Sequence, residues 1–192
     1  MLPRLAPGER MARVTTPAPL RRPLLLTGPP GVGRRSVAAE LCRRRSLCAV
    51  VDVDAVRRMV RTGGVPPSVP GAGEGQHRLA AVQGCLLASS FVAAGVEVVL
   101  TDVVRGPIGQ VYRTSAAAPM IVALRAPLEV VRARAAARPD ELTVLEFEAL
   151  HAEAVADVSA DAAVDTTDLD LAGVVASVDA LWSGAGATAP SS

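Results

Sequence analysis

A glycine-rich turn between an apolar run and a helical segment is the feature that most constrains the fold of this 192-residue chain. Residues 24–27 (LLLT) have the composition of a buried strand, and residues 36–41 (SVAAEL) begin a helix. Gly28, Gly31 and Gly33 allow the backbone between them to curl into a nest of N–H groups, which the positive end of the helix dipole reinforces. The segment therefore predicts a site where main-chain N–H groups hold a nucleotide phosphate.

This loop follows the phosphate-binding pattern G-x-x-x-x-G-K-[ST] with two exceptions. Arg34 stands at the lysine position, Arg35 stands at the position of the Mg²⁺-binding hydroxyl, and Ser36 follows one residue late. The chain contains no lysine, and all its 20 basic residues are arginine, so arginine at position 34 agrees with the composition. A guanidinium is nevertheless a wide planar fork, whereas lysine carries a compact charge. Two hypotheses stay open: Arg34 serves a phosphate, or the loop has lost catalysis.

We predict that the whole loop binds the nucleotide, that Arg34 takes part in catalysis, and that Ser36 is a candidate Mg²⁺ ligand. The predicted nucleotide-binding residues of the loop are Gly28, Pro29, Pro30, Gly31, Val32, Gly33, Arg34, Arg35 and Ser36.

Length, charge and apolar content exclude several classes of protein. A chain of 192 residues suits one domain with a full core, and a hydrophobic fraction of 50% agrees with a parallel sheet covered by helices. The net charge of +1 argues against nucleic-acid binding. No apolar run reaches the roughly 20 residues of a membrane span. We therefore expect a cytoplasmic protein without a nucleic-acid or membrane partner, and the oligomeric state stays open.

The ends of the chain differ in composition from its centre. Residues 1–22 are rich in proline and arginine and are predicted to be a disordered leader, whereas residues 184–192 are predicted to be a flexible tail. The folded domain then spans residues 23–183. Its three cysteines are odd in number and lack the spacing of a metal site, so we expect small unpaired core residues at Cys42, Cys48 and Cys85.

Strand and helix patterns alternate along the domain, which predicts an α/β fold with parallel strands. The predicted strands are 24–27, 47–53, 96–100, 120–124 and 162–165. The predicted helices are 35–44, 54–61, 76–94, one that opens at Pro127, 144–158 and 171–181. Glycine and proline dominate residues 62–75, which predicts a loop. The helix over 76–94 is predicted from the helical spacing of Leu79, Val82, Leu86, Leu87 and Phe91.

Polar side chains follow the carboxyl ends of the predicted strands, where open α/β sheets bind their ligands. These side chains include Asp52, Asp54, Asp102, Arg105, Asp165, Thr166 and Thr167. Asp54 can accept a proton from a substrate hydroxyl that attacks a γ-phosphate, or it can only cap the following helix. Asp102 can hold Mg²⁺ through water, or it can be an ordinary loop acid. The predicted acceptor-binding residues are Asp52, Asp54, Arg57, Arg58, Asp102 and Arg105.

Two further arginines, Arg134 and Arg138, lie four residues apart on one helix face before a polar turn. Their guanidiniums can close over transferring phosphates as catalytic groups, or they can form a solvated charged surface. For Arg57 and Arg58 two hypotheses also stay open: they bind an anionic substrate, or they are solvated surface charges. We expect His77 and His151 to be surface residues and expect packing roles for Tyr112, Phe147 and Trp182.

With these segments in order, the chain resembles the P-loop small-molecule kinases, and most closely the AAA-type phosphotransferase-like proteins near chloramphenicol phosphotransferase, gluconate kinase and the zeta-toxin kinases. The segments that carry the resemblance are GPPGVGRRS (28–36), VDVDAVRRMV (51–60), VEVVLTD (96–102), RARAAAR (132–138) and VDTTDLDL (164–171). The resemblance implies the three-layer P-loop NTPase fold, with a five-stranded parallel sheet, helices on both faces and a LID between the fourth and fifth strands.

The resemblance also implies ATP with Mg²⁺ as the phosphate donor and a small hydroxyl-bearing molecule as the acceptor. By motif position, Asp54 matches the catalytic aspartate, Arg134 and Arg138 match LID arginines, and Thr166 and Thr167 lie in the turn near the adenine. The altered loop leaves a second hypothesis, a protein that binds a nucleotide or a partner without turnover. For a third, a dephospho-coenzyme or nucleoside-monophosphate kinase, no residue specifies a base.

Overall fold

Five strands form one parallel sheet in the computed structural model, which describes residues 20–67, 69, 71–136, 143–156 and 160–185. The strands are β1 (Leu24–Thr27), β2 (Cys48–Asp52), β3 (Glu97–Thr101), β4 (Met120–Arg125) and β5 (Ala162–Asp165). Their order across the sheet is β2-β3-β1-β4-β5, and every neighbouring pair is parallel. The parallel sheet predicted from the alternating pattern is therefore confirmed.

Helices cover both faces of this sheet. They are α1 (Arg34–Arg43), α2 (Val53–Arg57), α3 (Ala72–Ala93), α4 (Ile108–Thr114), α5 (Leu128–Ala135), α6 (Val144–Ala156) and α7 (Leu171–Gly184). Successive strand side chains point to opposite faces, so Leu24 and Leu26 pack with α1, α5, α6 and α7, whereas Leu25 packs with α2, α3 and α4. The two cores on either side of one sheet give the predicted three-layer α/β fold.

The longest helix, α3, buries small residues and exposes its large apolar ones. The residues whose helical spacing predicted this helix have between 37% and 65% of their surface exposed: Leu79, Val82, Leu86, Leu87 and Phe91. The buried face consists instead of Gly73, His77, Ala80, Ala81, Gly84, Cys85 and Ala88. Small side chains bring the helix close to the sheet and to α2, because a Cβ added at Gly84 would lie 3.1 Å from Cγ2 of Val53 at the start of α2 and 3.7 Å from Cδ2 of Leu100 in β3.

Several local predictions differ from the structure. The N-cap of α2 is Asp52, whose carboxylate accepts a hydrogen bond from the Asp54 N–H at 3.2 Å, and not Asp54 as one of our two hypotheses held. Helix α2 ends at Arg57 instead of 61, and α3 begins at Ala72, inside the predicted loop. Helix α4 is missing from the prediction because seven residues with Gly109 among them give too short a helical pattern.

The cysteine prediction is wrong for one pair. Cys42 and Cys48 form a disulfide that joins the end of α1 to the start of β2, and Cys85 is a buried free thiol.

Among the helices that the structure describes, none combines the length and the apolar character needed to cross a membrane. The predicted leader before position 20, the predicted tail after position 185, and Arg138 lie outside the described residues.

Replacing Gly84 by leucine is expected to lower the free energy of unfolding by about 1–3 kcal/mol, because the new side chain must enter the close contact with Val53 and Leu100. Gly75→Leu is the matched control, since Gly75 lies on the same helix and a Cβ there would meet no atom within 4 Å. Leucine is the better helix former, so the control should keep or raise the stability. Urea unfolding measures both changes, and equal midpoints for the two variants would contradict the close contact.

Candidate functional site

The glycine loop lies at the carboxyl edge of the sheet and packs against the backbone of β4 and α5. Gly28 and Gly31 have φ angles of 133° and 80°. A Cβ at Gly28 would collide with the carbonyl oxygen of Leu124, and one at Gly31 would lie 2.6 Å from the carbonyl oxygen of Val131. Only glycine combines such φ angles with such close approach, so these two residues fix the loop on its protein side.

Gly33 has a different task from the other two glycines. It precedes α1 as its N-cap with a φ angle of 98°, and a Cβ added there would face open space. The N-terminus of α1 follows directly, so the first N–H groups of the helix are presented to the cavity that this residue lines. The open side of the loop therefore has the donors and the dipole that a phosphate needs.

Arg34, the first residue of α1, turns its guanidinium back over the loop. Its Nη1 donates to the carbonyl oxygens of Gly28 and Pro29, the second at 2.8 Å. Burial lowers the pKa of Arg34, although the nearby carboxylates of Asp54 and Asp102 act in the opposite direction. A guanidinium stays protonated in proteins and has five N–H donors, so Arg34 supplies a cation with further donors at the mouth of the loop.

Arg35 joins the loop to the end of β2. Its Nε lies 2.8 Å from Oδ2 of Asp52, and its Nη2 lies 3.4 Å from Oδ2 of Asp54. The same Asp52 carboxylate accepts from the hydroxyl of Thr101 at 3.4 Å through its other oxygen. Asp54 follows in the first turn of α2 and lines the cavity, with its Oδ1 3.7 Å from Nε of Arg57. The carboxylate predicted to act as the base is therefore placed at the cavity and is paired with arginine.

Asp102, His77 and Tyr112 form a buried cluster, of which Asp102 and His77 line the same cavity as Arg35 and Asp54. His77 Nε2 lies 2.9 Å from both carboxylate oxygens of Asp102, and the hydroxyl of Tyr112 donates to Asp102 Oδ2 at 2.6 Å. The surface position predicted for His77 is therefore wrong, and Tyr112 does more than pack. Burial, together with the charge of Asp102, raises the pKa of Tyr112. The small-residue face of α3 is the signal that could have identified His77 as buried.

The other arginines of the predicted acceptor site differ in their partners. Arg57 also donates to the carbonyl oxygen of Val65 at 3.4 Å, and its buried Nε has no hydrogen-bond partner among the described residues. Arg105 is held by Glu153 at 2.8 Å, whereas Arg58 is exposed. All three arginines line the same cavity as Asp54. This side of the site therefore presents positive charge with few large apolar groups.

Arg134 fastens α5 to the turn after β5. Its guanidinium donates to the hydroxyl of Thr166 at 2.9 Å and to the carbonyl oxygens of Thr166 and Thr167 at 2.6 and 3.3 Å. Arg134 lines the cavity, whereas Thr166 is buried behind it. Its predicted partner Arg138 lies outside the described residues. In this arrangement Arg134 positions the turn that was predicted to lie near the adenine, which is a different task from closing over phosphates.

A single cavity of about 890 Å³ unites most of the predicted site residues. Loop residues line its middle, and the acidic and basic groups of the β2 and β3 ends line one side. Leu169, Leu171 and Val174 line the other side, beyond β4 and β5. Asp52, Thr166 and Thr167 support the wall without lining it. The volume and the mixture of apolar and polar groups are those of a small-molecule site.

The residues present fit a nucleotide phosphate chain but not a magnesium ion held by the protein. For phosphates, the cavity offers the loop, the helix N-terminus and several guanidiniums. For magnesium, which binds at nucleotide sites through one or two protein groups together with phosphates and water, the loop offers a guanidinium at position 35 in place of the hydroxyl. Ser36 and Asp102 remain the ligands predicted from sequence, but His77 and Tyr112 already contact both carboxylate oxygens of Asp102.

Solved structures with the same fold include several small-molecule kinases. A gluconokinase from Sinorhizobium meliloti 1021 matches with a TM-score of 0.63 at 18% identity, over 88% of this chain and 97% of that one. A sugar kinase from Janibacter sp. HTCC2649 matches with a TM-score of 0.63 at 16% identity, over 87% and 96%. A shikimate kinase from Acinetobacter baumannii, solved with shikimate, matches with a TM-score of 0.57 at 18% identity, over 86% and 94%.

These likenesses establish the fold. They cover nearly the full length of each neighbour, so the three-layer α/β fold implied by the resemblance is confirmed. No protein-family model matches the chain, and no curated protein matches it in sequence.

Removing the hydroxyl of Tyr112 by Tyr112→Phe is expected to lower the free energy of unfolding by about 1–3 kcal/mol, because a buried bond to a charged carboxylate is lost. Thr114→Val serves as the control, since it removes an exposed hydroxyl from the same helix. Its effect should stay within about 0.5 kcal/mol. Denaturant unfolding of both variants measures the difference, and a neutral Tyr112→Phe would show that the hydrogen bond from Tyr112 to Asp102 does not stabilise the fold.

Proposed function

We propose that this protein is a cytoplasmic ATP-dependent kinase that transfers the γ-phosphoryl group of ATP to a small hydroxyl-bearing molecule. The observation that carries the proposal is that one cavity is lined both by the glycine loop, which follows β1, and by Asp54, a carboxylate that follows β2. The fold neighbours described as sugar kinase, gluconokinase and shikimate kinase support the same class of reaction. The narrower membership of the chloramphenicol phosphotransferase-like group stays a prediction.

The two sides of the cavity suggest which substrate lies where. The side beyond β4 and β5 offers Leu169, Leu171 and Val174, which suit the apolar face of a nucleobase. The side beyond β2 and β3 offers Asp54 and Arg57, which suit a polar acceptor with a reacting hydroxyl. The phosphate chain would then lie over the glycine loop between the two sides, because the loop follows β1, the central strand of the sheet.

In the proposed reaction, the acceptor hydroxyl oxygen attacks the γ-phosphorus of ATP. Asp54 accepts the hydroxyl proton, the new O–P bond forms, and the bond from the γ-phosphorus to the β–γ bridging oxygen breaks, so that ADP leaves with the electron pair. Arg34, which lies at the mouth of the loop, stabilises negative charge on the transferring group. Arg134 holds the turn at the nucleoside side, and Arg138 is kept as a predicted catalytic arginine.

A second candidate is a protein of the same fold that binds the nucleotide without turnover. The contact that favours it is the ion pair between Arg35 and Asp54, because the guanidinium occupies the same carboxylate oxygen that an acceptor hydroxyl would have to reach. Both candidates bind the nucleotide in the same place. They differ in whether the γ-phosphate is transferred.

The wild-type protein tests the proposal directly. Calorimetry with ATP and ADP should show binding, and ATP with labelled γ-phosphate should transfer its label to an acceptor from a panel of sugars, gluconate and shikimate. Binding without transfer to any acceptor or to water supports the second candidate. Absence of binding by either nucleotide removes both candidates.

Replacing Asp54 by asparagine is expected to reduce phosphoryl transfer by ~10²-fold or more while ATP affinity changes little, because the proton acceptor is lost and the loop is kept. Glu40→Gln is the control, since this carboxylate lies on α1 and pairs with Arg43 and Arg44 away from the cavity. Initial-rate kinetics and nucleotide titrations separate the two effects. Equal turnover of Asp54→Asn and wild type would reduce Asp54 to a structural residue.

A further inference from the structure

Arg35 lies between the phosphate loop and the acids of the acceptor side. It occupies the loop position that the phosphate-binding pattern reserves for a metal-binding hydroxyl. Its guanidinium bridges Asp52 at 2.8 Å and Asp54 at 3.4 Å, yet 58% of its side chain is exposed and lines the cavity. A fixed cation thus lies where a metal would have to join the phosphates to these carboxylates.

The carboxylate oxygens near this position already have partners. Asp52 Oδ1 accepts from the N–H of Asp54 and from the hydroxyl of Thr101, while its Oδ2 faces Arg35. Both oxygens of Asp102 are engaged by His77 and Tyr112. Magnesium binds proteins through one or two carboxylates in near-ideal octahedral geometry, so direct ligation by Asp52 or Asp102 would displace these contacts. The remaining carboxylate, Asp54, lies 3.4 Å from Arg35 through its Oδ2 and 3.7 Å from Arg57 through its Oδ1.

The hydroxyl of Ser36 does not restore the missing ligand. One residue along an α-helix corresponds to a rotation of about 100° around its axis, so Ser36 presents its hydroxyl in a different direction from position 35. A dication brought to Arg35 would also meet the repulsion of a guanidinium at short range. The donors at this position therefore do not favour a metal, although Asp52 and Asp54 offset the charge of Arg35.

The charged side chains that line the cavity can bind a polyphosphate without a metal ion. Its lining includes six arginines and four carboxylates, an excess of two positive charges: Arg34, Arg35, Arg57, Arg58, Arg105 and Arg134 against Asp54, Asp102, Glu146 and Asp170. Guanidiniums present planar forks of N–H donors that match phosphate oxygens in pairs. Arg34 and Arg35 stand at the loop itself, whereas Arg105 is held by Glu153 and Arg134 by the turn after β5.

We propose that this site binds a nucleoside di- or triphosphate in its metal-free form, with the guanidinium of Arg35 in the position and charge role of Mg²⁺. The inference rests on the nucleotide binding of the proposed function and applies equally with or without turnover. Arg35 then donates to the phosphate oxygens on one side and keeps Asp52 and Asp54 on the other. The consequence is a nucleotide affinity that does not need a divalent cation.

Calorimetric titration of the wild-type protein with ATP and with ADP, in excess EDTA and in excess MgCl₂, tests this inference. We expect the dissociation constant in EDTA to equal or lie below the value in MgCl₂. An affinity that falls by about tenfold or more on removal of magnesium, equivalent to about 1.4 kcal/mol, overturns the metal-free site but leaves nucleotide binding intact. Absence of binding in both buffers overturns this inference together with the proposed function.

The variant Arg35→Ser tests whether metal-free nucleotide binding depends on this one side chain. It removes the guanidinium and returns the hydroxyl, so metal-free ATP binding should weaken by about tenfold or more, and MgCl₂ should now restore it. Arg35→Lys keeps a positive charge and should fall between the two. Arg43→Ser is the matched control on the same helix, because Arg43 is 73% exposed and pairs with Glu40 outside the cavity.

Circular dichroism and thermal unfolding of each variant check that the fold is kept. Unchanged metal-free binding by a folded Arg35→Ser variant overturns the role of Arg35. The comparison of EDTA with MgCl₂ on the wild-type protein needs no variant, so the inference stays testable even where a substitution prevents folding.

Discussion

The structure depends on the approach of the glycine loop to the backbone of β4 and α5. At Gly28 and Gly31 the space beside the Cα is taken by carbonyl oxygens, so no side chain can be placed there. This contact fixes where the loop ends and therefore where α1 begins. The start of α1 in turn fixes the side chains of Arg34 and Arg35, one turned back over the loop and the other toward the end of β2.

Most of the architecture could be predicted from the sequence because its signals are local. Buried strands, the glycine loop and the helix start at Asp170 each follow from a few adjacent residues. Helix α3 shows the limit: its large apolar residues have helical spacing but face outward, because the sheet accepts only the small face with Gly84. Which face of a helix is buried depends on the surface opposite, and that surface comes from distant parts of the chain.

For the candidate site too, local sequence signals could be recognised, whereas contacts between distant parts of the chain could not. The loop and Asp54 could be predicted from spacing and strand ends, but the partners of each charge could not. Asp102 shows this clearly, because His77 comes from α3 and Tyr112 from α4, a helix too short to be recognised. The sequence identified which groups gather at the sheet edge. The structure shows that Asp102 is engaged inside the protein while Asp54 stays at the cavity.

A guanidinium in the metal position, as proposed for Arg35, would change the energetics of nucleotide binding and product release. Magnesium enters and leaves with the nucleotide, so its charge is removed when the product departs. Arg35 belongs to the chain and keeps its charge after the phosphate is gone, so under the metal-free proposal ADP has to separate from a cation that stays behind, and we expect its release to be slow. Product release limits the turnover of many enzymes. Under the proposed exchange, retention of ADP would limit a kinase that transfers the γ-phosphate, and the same retention would keep the nucleotide bound in a protein that does not transfer it.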